Sequence, residues 1–553
     1  MAFTRRSFSK YPLHCGGLPL KFVAHYKYLG IIIDRGLTWS KHLKSTLTKT
    51  NNHTNVLRHV SGASWGLTFA DLRQLHCSLI IGTLRYSLPT LHGLSRNAEM
   101  ELLRIQARSL RVCLGVPGTT ETYSVLAEAK EPPPYIQRER ETLRTYTRFL
   151  TRHQSHYLQP VESNCPSSAF GAAVSRLKSC IASSTAHFSY APPMWTLYTP
   201  TIHTDIPGLA KKSNAPPIIA HQLVLEHLDT AHHRRREVYT DGSVVPGSST
   251  AAFYLPSYNI QQGFKLPHET SSTEAELYAI YAALSYISLS LADNWTILTD
   301  SKSELQMIAS YCANTINDIC PRITKRYNEL LASGHTVSFH WVPGHIGLHG
   351  NTYADDAARR AHEEGEVIAS VPMSSSTSRI QVRRLCARNT LHFIENALPE
   401  NTFLHSIDPK MEYTTTLRLT RREETIVHRL RLNVARTPSL LFKMGELNLS
   451  ACATCRVEAV TAHLLQHCRR YDTARDILKG RLTALGHTHI DLSADWVLQL
   501  CLPTPACLQN GKPGHLQPKN VTLHHYQSVR KEINALMEGI DEESTIKFLP
   551  QSQ

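Results

Sequence analysis

The sequence predicts an α/β domain over residues 235–366, a mixed five-stranded sheet flanked by helices. It lies between a mostly α-helical N-terminal region and a small C-terminal region built around a cysteine–histidine motif. Three observations predict this. The apolar runs Glu237-Val238-Tyr239-Thr240 and Trp295-Thr296-Ile297-Leu298 each lead to an aspartate followed by small polar residues, Asp241-Gly242-Ser243 and Asp300-Ser301. That is the pattern of a strand delivering a carboxylate to the edge of a sheet. Between them, Leu277, Ile280, Tyr281, Leu284, Ile287 and Leu291 recur at helical spacing. The charge also changes here: residues 1–234 carry a balance of +14, residues 235–366 of −6 and residues 367–553 of +6.

Each element has its own signal. In residues 1–155, Arg-rich helical stretches run over Leu72–Leu91, Met100–Leu114 and Gln137–Thr151. From 156 to 234, Ser163-Asn164-Cys165-Pro166, Ala191-Pro192-Pro193 and Asn214-Ala215-Pro216-Pro217 predict an extended linker, with an apolar run at Ile218–Leu228 able to dock on a neighbour. His232-His233-Arg234-Arg235-Arg236 is either a phosphate contact or a solvated linker end. The first strand then turns at Pro246-Gly247 into a second at Ala251–Leu255, with a third at Gln262–Leu266. The long helix follows, then strands at 295–298 and 335–341 and helices at 301–313, 318–333 and 351–365. Ser271 with Glu274 and Ser301 with Glu304 have capping-box spacing. After the Ser-rich linker Ser374–Ser378, the region 367–553 contains Cys452-x2-Cys455-x7-His463-x4-Cys468, two close ligand pairs separated by a loop. Three thiolates and an imidazole so spaced suit one zinc ion, with His467 as an alternative to His463 and buried thiols as the metal-free reading.

Three aspartates, a glutamate and a histidine on separate elements suit a divalent-metal site for phosphoryl transfer, because hard oxygen ligands favour Mg2+ or Mn2+. An aspartate before Gly or Ser is commonly a turn or cap residue, so no one of these positions carries the reading. Their order does. Asp241, Glu276 in Ala275-Glu276-Leu277, Asp300 in Thr299-Asp300-Ser301, and Asp355 in Gly350-Asn351-Thr352-Tyr353-Ala354-Asp355 resemble the four carboxylates of type 1 ribonuclease H domains. His345, after Trp341-Val342-Pro343-Gly344, falls where that family keeps a mobile histidine, with His349 the alternative. Glu274 and Glu276 are two apart, so only one faces the site, and the resemblance selects Glu276; it likewise selects Asp355 over Asp356. It implies two Mg2+ ions held by Asp241, Glu276, Asp300 and Asp355, with His345 moving protons or aiding product release. The implied reaction is cleavage of the RNA strand of RNA–DNA hybrids, leaving 5′-phosphates.

The flanks carry a second resemblance. Tyr28-Leu29-Gly30-Ile31-Ile32-Ile33-Asp34 with Leu37-Thr38-Trp39-Ser40-Lys41-His42 is similar to a stretch that follows the polymerase palm in non-LTR retrotransposon reverse transcriptases. The cysteine–histidine motif, with Arg429-Leu430-Arg431 before it and Glu458 inside it, resembles the one after the ribonuclease H domain of those elements. No paired-aspartate turn precedes Tyr28, so polymerase activity is not expected, Asp34 is read as a turn residue, and a separate polymerase chain is a possible partner. Basic flanks beside an acidic domain imply that they supply most of the affinity for nucleic acid. The alternative reading is a non-catalytic nucleic-acid-binding remnant. The 13 cysteines and the absence of an apolar leader imply an intracellular, reducing location, and no segment reads as a membrane span.

Overall fold

The computed structural model describes residues 11, 13–150, 168–181, 197–209, 216–231, 233–310, 319–368, 374–397, 402–408, 419–484 and 489–493. They fall into two compact units, Glu139–Leu385 and Met1–Arg138 with Cys386–Gln553. Most of the proline- and serine-rich positions read as linker (163–167, 191–193, 214–215), His232 of the basic cluster and everything after 493 lie outside the described residues. Among the described residues no helix is long and apolar enough to cross a membrane.

The elements of the first unit that build its sheet and cover it are β1 (Thr201–His203), α1 (Pro217–Ala231), β2 (Arg236–Val245), β3 (Ser248–Leu255), β4 (Ile260–Lys265), α2 (Ser272–Ile287), β5 (Asn294–Thr299), α3 (Lys302–Ala309), α4 (Ile319–Ala332), β6 (Thr336–Trp341), α5 (His349–Glu364) and β7 (Glu366–Val367). They form one mixed sheet in the order β7-β4-β3-β2-β5-β6-β1. The hairpins β2–β3 and β3–β4 are antiparallel, whereas β5 lies parallel to β2 and to β6. The expected five strands are all there, and two short ones extend the edges. β1 comes from the segment read as linker and pairs in parallel with β6, and β7 pairs in parallel with β4.

Both faces of the sheet are covered. Leu277, Ile280, Ala283, Leu284 and Ile287 of α2 pack on Val238, Phe253, Trp295, Ile297 and Phe339. On the other face Val224 and Leu228 of α1 join Tyr239, Leu298, Val342 and Ala354. The 218–228 run is therefore a packed helix rather than linker. Helix α5 lies close against the sheet because its inner positions are small, with Ala357 and Ala358 against Ala252. A side chain on Gly350 would strike the ring of Tyr239.

Helix α2 stops a turn earlier than its apolar spacing suggests. The hydroxyls of Ser288 and Ser290 donate to the carbonyls of Ser285 and Ile287, both at 2.7 Å, and so take up acceptors at the helix end. Leu291 is left 91% exposed. Neither capping box closes. Ser271 does cap the Glu274 N–H at 3.2 Å, but the buried Glu274 carboxylate accepts the hydroxyls of Ser374, Ser376 and Thr377. The Ser-rich stretch read as a second linker is thus the start of a helix, Ser375–Ala397. At the other position the Ser301 hydroxyl bonds the Glu304 carboxylate and caps no backbone N–H.

The second unit is mainly helical and joins regions read as separate in the sequence. Leu57, Leu72, Leu110 and Leu126 share one core with Phe393, Ile426, Leu430 and Leu465. Its polar centre is a buried network in which Arg431 bonds Glu128 at 2.8 Å and Asp408 at 2.9 Å, and the Nδ1 of His428 lies 2.7 Å from Glu128. Asp34, read as a turn residue, is the last residue of the strand Ile31–Asp34, and its side chain holds the turn that follows. Its carboxylate accepts the backbone N–H groups of Gly36, Thr38 and Trp39 at 3.1, 3.0 and 2.7 Å.

Candidate functional site

The carboxylates are brought together by strand register. Thr240 of β2 lies level with Thr299 of β5. Asp241, in the middle of β2, and Asp300, just past the end of β5, are one residue further on each and so stand at the same height on neighbouring parallel strands. Glu276 arrives from the start of the second turn of α2, which can approach because residue 242 is glycine: a Cβ there would collide with the backbone of Ala275 and Glu276. Ligand oxygens of Asp241, Glu276 and Asp300 all lie within 4.8 Å of one another. A Cβ on Gly344 would strike the Asp300 carboxylate, so the chain after β6 also presses close. The indole of Trp341 donates to the Asp300 carbonyl at 3.1 Å and fixes the end of β5.

The electrostatics follow from this crowding. Burial, then the charges of Asp300 and Asp355, push the Asp241 carboxyl up to about 7, opposed by Arg359. Burial, then Asp241, Asp300 and Glu304, push Glu276 well above the usual range, opposed by a backbone hydrogen bond from Gly242. The Oε2 of Glu276 is buried and has no hydrogen-bond partner. Like charges this close oppose ionisation unless a cation joins them, so the donor set fits hard divalent ions.

Asp355 stands at the edge of this group. It is half-buried on α5, close enough to act on Asp241, and its carboxylate lies 3.4 Å from Arg359. It is not among the three whose ligand atoms converge. Asp356 is bonded to Arg359. His345 is exposed on the loop between β6 and α5, next to Gly344, and its backbone is left-handed with φ 58°. Such a conformation in a non-glycine residue is uncommon and clusters at functional loops. His349 is the exposed first residue of α5. The sequence reading missed Gly242, Gly344 and Arg359. Gly242 follows Asp241 and Gly344 precedes His345, but only the packing reveals what they make room for.

A second cluster lies in the other unit. Cys452, Cys455, His463 and Cys468 offer ligand atoms within 4.8 Å of one another. The Sγ atoms of Cys452 and Cys468 are 3.6 Å apart, and those of Cys455 and Cys468 are 4.0 Å apart. These separations are far too long for a disulfide, whereas a tetrahedral zinc with bonds of about 2.3 Å places its sulfurs about 3.8 Å apart. The buried Nε2 of His463 has no hydrogen-bond partner, and His467 is exposed, which favours His463 as the nitrogen ligand. Burial would raise the Cys452 thiol, but hydrogen bonds from the Cys455 backbone, His463 and the Thr454 backbone bring it down to about 6. The donor set fits zinc. Glu458 accepts the Ser439 hydroxyl at 2.6 Å and ties the knuckle to its surroundings.

Comparison with known proteins bears on the first site. Residues 233–363 match the RNase H family. The chain is 30% identical over 130 residues to an RNA-directed DNA polymerase from mobile element jockey of Drosophila melanogaster, covering 21% of this chain and 13% of that protein. The same-named protein of Drosophila funebris is 25% identical over 138 residues, covering 25% and 15%. The chain thus spans less than a sixth of the length of these polymerases. A Ribonuclease H of Pseudoalteromonas translucida (strain TAC 125) is 30% identical over 146 residues, covering 23% of this chain but 88% of that protein. Since this chain matches 88% of that protein, and the family match covers the segment that gathers Asp241, Glu276 and Asp300, the chain belongs to the ribonuclease H family.

Proposed function

We propose that this protein hydrolyses the RNA strand of RNA–DNA hybrids as part of a retrotransposon product. The observation that carries the reading is the convergence of Asp241, Glu276 and Asp300 from two strands and a helix, with ligand oxygens within 4.8 Å. Asp241, Glu276 and Asp300, with Asp355 at the edge, would hold two Mg2+ ions. Divalent ions bound there would activate a water and stabilise the departing 3′ oxygen.

The chain's own residues do the remaining work. The β2–β5 register and the indole of Trp341 hold the aspartates in place, so no reorganisation is needed when substrate arrives. Arg359 restrains Asp355 and tempers the charge around Asp241. His345, exposed on the loop next to Gly344, would exchange a proton with water or loosen the product. Hybrid would be selected by groove shape and the 2′-hydroxyl, with little reading of bases. The similarity to mobile-element polymerases supports a working context with a separate polymerase chain.

The test is incubation of the full chain with end-labelled RNA in a hybrid, with single-stranded RNA and duplex DNA as controls. Mg2+-dependent cleavage confined to the hybrid and leaving 5′-phosphates is expected. No hybrid cleavage in either Mg2+ or Mn2+ by folded protein would overturn the proposal.

A further inference from the structure

The mainly helical unit contains an open cleft of about 570 Å³ whose lining includes six arginines and no carboxylate. Arg104, Arg108 and Arg111 recur at i, i+4 and i+7 along the helix Arg96–Leu114, so one face presents all three. Arg58 comes from the end of the helix Ser40–Val60, and Arg429 and Arg436 close the cleft from about three hundred residues later in the chain. The inner groups are fixed: Arg111 donates to the Thr120 carbonyl at 2.6 and 3.0 Å, and Arg429 to the Gly115 carbonyl at 2.9 Å. Arg58, Arg104 and Arg108 are exposed at the mouth. Glu101 and Glu446, outside the lining, pair with Arg104 and Arg436, while Arg58, Arg108 and Arg111 hydrogen-bond neutral oxygens. Glu121 also acts on Arg111, so three carboxylates stand beside six guanidiniums and the cleft keeps a net positive charge.

One wall is Ser61–Ala63, the start of a turn that runs to Leu67 and carries Trp65 at the edge of the cleft, outside its lining. The Ser61 hydroxyl donates to the Trp65 carbonyl at 3.1 Å, and the Gly62 N–H donates to the same carbonyl at 3.0 Å. This pins the turn so that the indole lies across Gly62, a lining residue, and remains 57% exposed. Guanidinium forks match phosphate oxygens, and an exposed aromatic beside them offers a face to an unpaired base.

We propose that this cleft binds the phosphate backbone of a single nucleic-acid strand, with Trp65 stacking one base. A single strand fits better than a duplex because the bases of a duplex are already stacked on one another. The inference does not rest on hybrid cleavage, since none of the carboxylates belongs to this unit.

The test is fluorescence anisotropy of a labelled oligothymidylate with the full chain in magnesium-free buffer, across a salt series. The variant Arg58→Gln/Arg104→Gln/Arg108→Gln removes three exposed charges and is expected to keep the wild-type melting temperature. Each single-strand phosphate contact contributes about 0.7 to the salt slope, so the slope should fall by about 2 and affinity at 0.1 M salt by about 100-fold. Lys44→Gln/Lys49→Gln/Lys479→Gln, equal in charge but outside the lining, should change affinity by less than about threefold. Trp65→Ala should weaken the oligonucleotide about tenfold and leave binding of inorganic tripolyphosphate unchanged. Equal losses in the two triple variants would overturn the proposal in favour of diffuse attraction. So would an inert Trp65→Ala together with tripolyphosphate or poly-glutamate competing as well as the strand at equal charge, which would assign the cleft to small polyanions or acidic polypeptides.

Discussion

Replacing Asp241 by asparagine should destroy cleavage and, without divalent ions, make the protein more stable. In the folded chain the Asp241 carboxyl is pushed up to about 7 by burial and by Asp300 and Asp355, from an ordinary value of 3.8. Between those values the folded chain keeps a proton that the unfolded chain releases. Stability from this group is therefore greatest below about pH 4, declines as pH rises towards 7, and levels off above. About three pH units at ~1.36 kcal/mol each set a ceiling of about 4 kcal/mol. Water reaching the half-buried carboxylate screens part of it, leaving about 2 kcal/mol as a working figure. For a unit of this size that corresponds to a rise of about 4–8 °C in melting temperature. The assay is calorimetry of the full chain in magnesium-free buffer at pH 5 and pH 8. Wild type should lose stability between the two, Asp241→Asn should lose less and melt higher at pH 8, and 10 mM Mg2+ should raise wild type much more than the variant. Hybrid cleavage by the variant should fall to background. Equal melting of both proteins at pH 8, with no response of wild type to Mg2+, would refute the reasoning that these carboxylates repel one another until an ion arrives.

Three other outcomes are expected. Gly242→Ala should displace the start of α2, costing about 1–3 kcal/mol of stability and most of the activity, read by melting and by hybrid cleavage; wild-type values in both would show that the close approach is unimportant. His345→Ala should slow turnover without abolishing it, because water can replace an exposed proton carrier, and a loss as complete as that of Asp241→Asn would give His345 a larger role. The purified full chain should contain about one zinc, and Cys468→Ser should lose it together with the upper part of the melting curve; metal-replete protein without zinc would leave four buried or half-buried side chains packed without an ion.

The sheet's centre carries local signals, and so do Asp241 and Asp300, although only their order with Glu276 and Asp355 marks them as a site. The apolar run before Asp300-Ser301 states both the strand and where it ends, whereas the strand before Asp241-Gly242 runs on through the aspartate to Val245, because the hairpin with β3 keeps pairing it. Glu276 needed the resemblance to choose it over Glu274. The structure gives the physical reason: Glu274 turns away to the hydroxyls of Ser374, Ser376 and Thr377. β1 could not be read, because three residues in a proline-rich segment become a strand only when β6 offers an edge to pair with. The arginine cleft was invisible for another reason. Its wall joins residues 58, 104–111, 429 and 436, which no scan of neighbouring positions would connect.

The pairing of Thr240 with Thr299 has a consequence for what this domain can tolerate over evolutionary time. Neighbouring strands are about 4.8 Å apart whatever the chain between them does, so the sheet itself works as a ruler for the two aspartates. Hairpin tips and the segments after α2 or α3 can lengthen or shorten without moving either carboxylate. A single residue inserted or deleted inside β5 would instead turn Asp300 to the opposite face. Length changes should therefore accumulate in the connections and be excluded from two six- to ten-residue strands.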